Sequence, residues 1–402
     1  MSRNVRTLLF STLYPSSVRP GHGIFVETRL RQLLNSGEIE TKVVAPIPWF
    51  FSTNPRFGDY AQLARTPERE MHNGVDVLHP RYVLLPKVGM TLAPFTMALS
   101  AISPIRQLQR EGFDFDLIDA HYYYPDGVAA ALLAKWFDKP FTVTARGSDI
   151  NLIARHTIPR ALIRWAAGQA TASISVSKAL SDGLASIGVD RTKLMVLRNG
   201  VDLAHFYPVP QLNARRALSW RDEPTLLSVG NLVENKGHHI AIEMLTHLPE
   251  YRLAITGDGP EQAALKQHAQ HLGVDQRVLF TGRIAQKDLP TYYSAADVLI
   301  LASSREGWPN VLLESMACGT PVVASGIGGI PEVVAATVAG RLVSDRSAKA
   351  FSDAVRDLLL NCPPRDSVRQ YASQFDWAET TQRQITLFTG LARRVKVPDI
   401  LV

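Results

Sequence analysis

The chain has 402 residues, 46% of them hydrophobic and 20% charged, and a formal net charge of +6. That length fills two or three domains, each able to bury its own core, and the composition fits a soluble globular protein. With two cysteines, Cys318 and Cys362, a disulfide framework is not expected, in agreement with a reducing cytoplasm. The charge is uneven: residues 1–200 carry 23 Lys and Arg against 16 Asp and Glu, and the remainder 20 against 21. A basic front half favours an anionic partner, most simply a membrane face or a phosphate-bearing lipid; an ordinary basic surface is the alternative.

Residues 5–13 read as a first strand. The run breaks at Tyr14-Pro15 and lacks a cleavage region, so an export signal is not expected. A turn-rich loop, 14–23, precedes a helix over 24–35 and a strand over 41–46. Residues 88–105 are uncharged between Lys87 and Arg106, but Pro94 and Pro104 interrupt them. They fall short of the roughly 20 residues a bilayer span needs, so an apolar surface helix or loop is expected. Strands follow at 117–122, 141–145, 172–176 and 194–197, with a helix over 127–136 and an amphipathic stretch over 158–167. There Arg155, Arg160, Arg164 and Trp165 make either a basic, aromatic-tipped membrane-facing surface or a half-exposed helix.

Arg198-Asn199-Gly200-Val201-Asp202, followed by Pro208 and Pro210, reads as an interdomain linker or a surface turn. The alternation then restarts, with strands at 225–229, 253–256, 277–281, 298–301 and 322–324. Helices are expected over 239–248, 261–272, 289–295, 311–317 and 347–361, and an amphipathic tail over 365–394 breaks near Trp377. The fold class is therefore α/β, with two doubly wound, Rossmann-like parallel-sheet domains whose ligands sit beyond the strands' carboxyl ends.

The chemistry concentrates between residues 298 and 334. A buried strand runs into a polar loop, then a helix for which Pro309 suits the first turn and Asn310 the cap. A second strand enters the Gly326/Gly328/Gly329 loop and another helix start. Two helix starts at neighbouring carboxyl ends offer N–H groups and positive dipole ends to a phosphate or diphosphate. Glu306, in the loop, and Glu314, one turn into the helix, can face one crevice and bind ribose and sugar hydroxyls. On the plainer reading Glu314 complements the helix dipole and Glu306 is a solvated acid.

The run EGWPNVLLE with the following MACGTPVVAS closely resembles the paired-glutamate signature of the family 4 retaining glycosyltransferases. The likeness covers nearly the whole chain and is strongest over 194–343. It implies the GT-B architecture: an acceptor-binding domain over 1–200, a nucleotide-sugar-binding domain over 201–375 facing it across a cleft, and a helix in 376–402 crossing back. It makes Lys236, with Gly237, a holder of the diphosphate, where alone it would be a loop charge. Most relatives carry arginine where Asn231 stands, so one cation at the phosphates is missing. Gly257-Asp258-Gly259-Pro260 is shared with the family and would be a tight turn by itself. Gly21-His22-Gly23 resembles the family's glycine loop near the donor phosphates. Many relatives have histidine at Arg146; arginine does not shuttle protons, which points to hydrogen bonding or anion pairing, with an Arg146–Asp149 pair as the structural alternative. His121 ends another strand, as an acceptor contact or a buried, hydrogen-bonded residue.

The resemblance thus implies transfer of a hexose-type sugar from a nucleotide diphosphate sugar, UDP ahead of GDP by family frequency alone, to a hydroxyl of a glycan or lipid-diphosphate-linked acceptor, as in surface polysaccharide assembly. The catalytic set would be Glu306, Lys236, Arg146 and His121; the donor set Gly21, Gly23, Asn231, Lys236, Gly257, Asp258, Pro309, Asn310, Val311 and Glu314. No metal or other cofactor is expected, and no nucleic acid. A cytoplasmic location is expected, at the inner membrane face through a peripheral contact of the N-terminal domain. The alternatives are a nucleotide-sugar epimerase or a phosphorylase on the same scaffold, or a non-catalytic nucleotide-binding subunit. A dinucleotide oxidoreductase lacks support, since no G-x-G-x-x-G directly follows the first strand.

Overall fold

The computed structural model describes residues 3–84 and 89–393. Position 88 of the uncharged run and positions 394–402 of the tail lie outside them. The chain forms two compact units, Met1–Arg198 with Ala378–Val402, and Asn199–Trp377.

The first unit is built on an eight-stranded sheet. Its order is Leu194–Val196, Ala172–Ser175, Phe141–Ala145, Leu117–His121, Val5–Phe10, Ile39–Val44, Val75–Leu78 and Arg69–His72. All neighbours pair in parallel except the last two strands, which form an antiparallel hairpin. That hairpin turns on Asn73 and Gly74, both at positive φ, as a two-residue turn between strands requires. Sequence reading passed over it because Arg69–His72 is polar and sits at an edge. The first strand ends at Phe10, not at position 13, since Ser11 onward turns toward the helix Ile24–Asn35.

Gly89–Arg110 is one helix of 22 residues running through both Pro94 and Pro104, which were expected to interrupt it. Buried Ala93, Met97, Ala98, Ala101, Ile105 and Leu108 hold it together across the two lost backbone bonds. No helix among the described residues is long and apolar enough to cross a membrane.

The second unit carries six strands, all parallel, in the order Val278–Gly282, Arg252–Thr256, Thr225–Val229, Val298–Leu301, Val322–Ser325 and Gly340–Val343. Its core joins Leu226, Leu253, Ile255, Val298 and Ile300 from the sheet to Ile240, Phe351 and Val355 from the helices. The tail breaks between Arg365–Ala372 and Ala378–Ala392. The latter belongs to the first unit, where Ile385, Leu387, Phe388 and Leu391 pack with Leu33, Leu117 and Ile174.

Candidate active site

In the second unit, four loops at the carboxyl ends of the strands lock onto one another through their backbones. Gly257 has φ 147°, and a Cβ there would lie 1.9 Å from the Gly230 carbonyl oxygen. The Leu232 N–H donates to the Asp258 carbonyl at 2.7 Å. Gly237, at φ 72°, lies so close to Ala302 that a Cβ would meet its carbonyl oxygen at 2.1 Å, and the Ser304 N–H donates to Asn235. Only glycine permits these approaches. Buried His238 adds a clamp: its ring nitrogens meet Ser228 Oγ at 2.9 Å and the Asn231 carbonyl at 3.2 Å. Asn231 and Asp258 are exposed, and Arg283 lies 3.8 Å from the Asp258 carboxylate.

These loops bring Lys236 and Glu306 together. The Lys236 ammonium donates to Glu306 Oε1 at 2.7 Å, and Ser303 Oγ donates to the same oxygen at 2.8 Å. Among the described residues no donor reaches Oε2. The Gly326–Gly329 loop was expected to offer amides to a phosphate; those of Gly326 and Ile327 instead donate to the Val343 and Ser325 carbonyls, and the loop packs on Glu306. A Cβ at Gly328 would lie 2.2 Å from the Glu306 carbonyl oxygen, and the Gly329 N–H points at that oxygen from 3.4 Å. The helix it starts, Ile330–Val333, is one turn long.

The helix start at Asn310 differs from expectation in one respect. Pro309 occupies the cap position and Asn310 is the first helical residue, with no side chain capping the turn. As the first helical residue Asn310 is past the cap position, and its amide oxygen accepts from Asn199 Nδ2 at 3.3 Å. Pro309 has no N–H, so the available donors are the amides of Asn310 and Val311; that of Leu312 already bonds the Pro309 carbonyl. Glu314, half-buried one turn on, accepts from the Tyr293 hydroxyl at 2.7 Å. Burial raises its pKa, against the Tyr293 hydrogen bond and nearby His205.

In the first unit, Gly23 at φ 69° precedes the helix Ile24–Asn35, and a Cβ there would lie 2.3 Å from the Leu13 carbonyl oxygen. Gly21 is half-buried in the same turn, and His22 Nε2 contacts the Thr12 carbonyl at 3.2 Å. Arg146 leaves the strand Phe141–Ala145 with its guanidinium on His121 Nδ1 and 5.3 Å from the Phe25 ring centre. The Asp149 carboxylate takes the backbone N–H groups of Tyr123, Arg146 and Gly147.

His121 is 1% exposed, and its Nε2 bonds Asp119 at 3.1 Å. With Nε2–H donating to the carboxylate, Nδ1 is the acceptor for Arg146. Burial pushes its pKa down to about 4, against the pull of Asp119, so the ring is neutral at pH 7. Asp119 also accepts from Thr142 at 3.0 Å and from Gln384 Nε2 at 3.5 Å. The Gln384 carbonyl takes Arg29 Nε at 2.6 Å. A buried polar chain thus runs from the tail helix to Arg146.

The chain was expected to hold no Asp-x-Asp triplet, but Asp114-Phe115-Asp116 is one. It lies at the amino end of the strand Leu117–His121, where Asp114 pairs with Lys139 at 3.0 Å and Asp116 with Arg3 at 2.5 Å. Among the described residues no three of His, Cys, Asp or Glu cluster so that they could hold a metal ion together.

Residues 211–375 match the family "Glycosyl transferases group 1", and residues 60–205 match "Glycosyltransferase Family 4". The chain belongs to the family 4 retaining glycosyltransferases. Among curated members of similar sequence is the putative teichuronic acid biosynthesis glycosyltransferase TuaC of Bacillus subtilis, 28% identical over 364 residues covering 87% of this chain and 88% of that one. Another is the D-inositol 3-phosphate glycosyltransferase of Corynebacterium urealyticum, 28% identical over 352 residues covering 80% and 82%. The GT-B fold is shared with sucrose-phosphate synthase of Thermosynechococcus elongatus at a TM-score of 0.80, 21% identity and coverage of 98% and 100%. It is shared too with Anabaena HepE, solved in complex with UDP-glucose, at a TM-score of 0.70, 20% identity and coverage of 96% and 99%.

Proposed function

We propose that this glycosyltransferase moves a hexose-type sugar from a nucleotide diphosphate sugar, UDP-linked before GDP-linked, to a hydroxyl of a glycan or lipid-linked acceptor in surface polysaccharide assembly. The observation that carries this reading is the Lys236–Glu306 pair: a cation and an acid held by backbone-locked loops, in the unit whose helix Asn310–Ala317 begins without a side-chain cap. The teichuronic acid biosynthesis for which TuaC is named and the UDP-glucose bound to HepE support the acceptor class and the donor base.

In this mechanism the acceptor oxygen bonds the anomeric carbon on the face from which the diphosphate departs. The bond from that carbon to the phosphate oxygen breaks, and its electron pair leaves with the nucleoside diphosphate. The acceptor proton passes to the departing phosphate oxygen, so no enzyme base is required. Lys236 and the amides of Asn310 and Val311 meet the charge that grows on the leaving group. Glu306 orients the donor sugar's hydroxyls and Glu314 those of the ribose. In the first unit Arg146 engages the donor sugar or an acceptor anion; His121, with both ring nitrogens engaged, holds Arg146 in place.

Transfer assays on Lys236→Ala and Glu306→Ala test the assignment. Each variant should lose at least about a hundredfold in kcat/KM while keeping its circular dichroism and melting temperature. Full activity in both purified variants rejects it.

A further inference from the structure

The first unit exposes one continuous apolar ridge that the site does not use. Trp49 is 56% exposed, Phe51 67% and Tyr60 46%, and the helix Gly89–Arg110 adds Leu92, Phe95 and Leu99 at 39%, 39% and 69%. The spacing of 92, 95 and 99 sets those three on one side of the helix.

The pieces join physically. The Phe50 ring lies 4.5 Å from Phe51 and stacks on Tyr60 at 5.5 Å, centre to centre. The Trp49 N–H donates to the Tyr82 carbonyl at 2.7 Å, and Thr96 Oγ1 on the helix donates to the next carbonyl, that of Val83, at 2.8 Å. At the ridge's foot the Arg56 guanidinium lies 4.7 Å from the centre of the Phe57 ring, and Arg65 is tied to the Thr53 carbonyl at 2.8 Å.

Position in the sheet gives the ridge a direction. Residues 45–51 leave the carboxyl end of the strand Ile39–Val44, and residues 79–83 that of Val75–Leu78. Both strands run parallel to Val5–Phe10, Leu117–His121 and Phe141–Ala145. The ridge therefore rises from the same rim of the sheet as His22 and Arg146.

We propose that this ridge seats the first unit on an anionic lipid bilayer, with Trp49, Phe51 and Tyr60 at headgroup depth and Arg56 and Arg65 on lipid phosphates. The proposal rests on the reading above insofar as it brings the Arg146 rim to an acceptor carried by a lipid. Aromatic side chains backed by arginine are the chemistry of the membrane interface, and the excess of basic over acidic residues in 1–200 has the matching sign. A second copy of the chain fits less well. A two-fold contact would gather Arg56 and Arg65 of both copies, with Asp59 the one acid in residues 47–66. The helix Thr157–Gln169, which also exposes arginines, offers Trp165 as its one exposed aromatic residue.

Flotation of the full chain with phosphatidylcholine vesicles, with and without a minor share of phosphatidylglycerol, tests this. The wild type should float with the anionic vesicles and more weakly with the neutral ones. The double variant Trp49→Glu/Phe51→Glu, and independently Leu99→Glu, should lose partitioning at least about tenfold, and Trp165→Glu should change it little. Melting shifts with UDP and GDP, equal in all four proteins, report an intact fold and donor site; their absence from the wild type counts against the donor reading and not against the ridge. Vesicle binding that survives both ridge changes, a wild type that never floats, or a wild-type dimer that the double variant turns into monomer without any lipid binding would overturn the proposal.

Discussion

Lys236 and Glu306 lie 70 positions apart in the chain, yet their charged atoms come within 2.7 Å because glycines at 237, 257 and 328 let backbones touch. Any Cβ at Gly257 collides with the Gly230 carbonyl, and its φ of 147° is one that other residues avoid. Gly257→Ala should therefore cost on the order of 1–3 kcal/mol or more, read as a lower urea midpoint together with weakened nucleotide binding. His238 makes a second test at this scale. Burial lowers its pKa to about 4, from 6.5 unfolded, so between those values the unfolded chain binds the extra proton. That part of the second unit's stability is present above pH 6.5 and lost as pH falls toward 4. His238→Gln should flatten the pH dependence of the urea midpoint over this window relative to the wild type; an unchanged slope would remove His238 from the account.

Elements explain where these residues point. A parallel sheet delivers every following loop to one rim, which is why motifs scattered over 230–329 meet. The motif around Glu306 was readable from its strand, loop and helix pattern. The partners were not: Ser303, Tyr293 and His238 carry no local signal, since their roles arise from register between strands distant in sequence. The cap at Asn310 was misread by one position, because the helix already begins at Asn310 with Pro309 before it. The tail helix poses a further test. Gln384 links Arg29 to Asp119, and Asp119 holds His121 behind Arg146. Gln384→Met leaves two buried charged groups short of a partner. It should cost about 1–3 kcal/mol of the first unit's unfolding free energy and raise KM, for the donor or the acceptor, more than it lowers kcat. If Arg146→Lys already carries the KM defect, adding Gln384→Met should not deepen it.

At the scale of the molecule, the α/β class and both parallel sheets follow from the alternation of short apolar runs with helical periodicity. The antiparallel edge Arg69–His72 and the unbroken helix through Pro94 and Pro104 escaped because pairing and burial overrode local preference. Composition carried less: the basic front half was compatible with an anionic partner or an ordinary basic surface, and the proposed membrane surface rests instead on the exposed aromatic residues near Trp49. The donor itself should be picked out by melting shifts across a panel of nucleoside diphosphates, with UDP giving the largest rise. In the proposed mechanism the diphosphate rests on the uncapped amides opening the helix Asn310–Ala317. Calorimetric titration of UDP and GDP into Asn310→Pro and Asn310→Ala isolates that contact, because proline at the first helical position deletes one amide while preserving the helix. The proline variant should bind its diphosphate about tenfold or more weakly than the alanine variant, with equal melting temperatures in the absence of ligand; equal affinities would contradict the account.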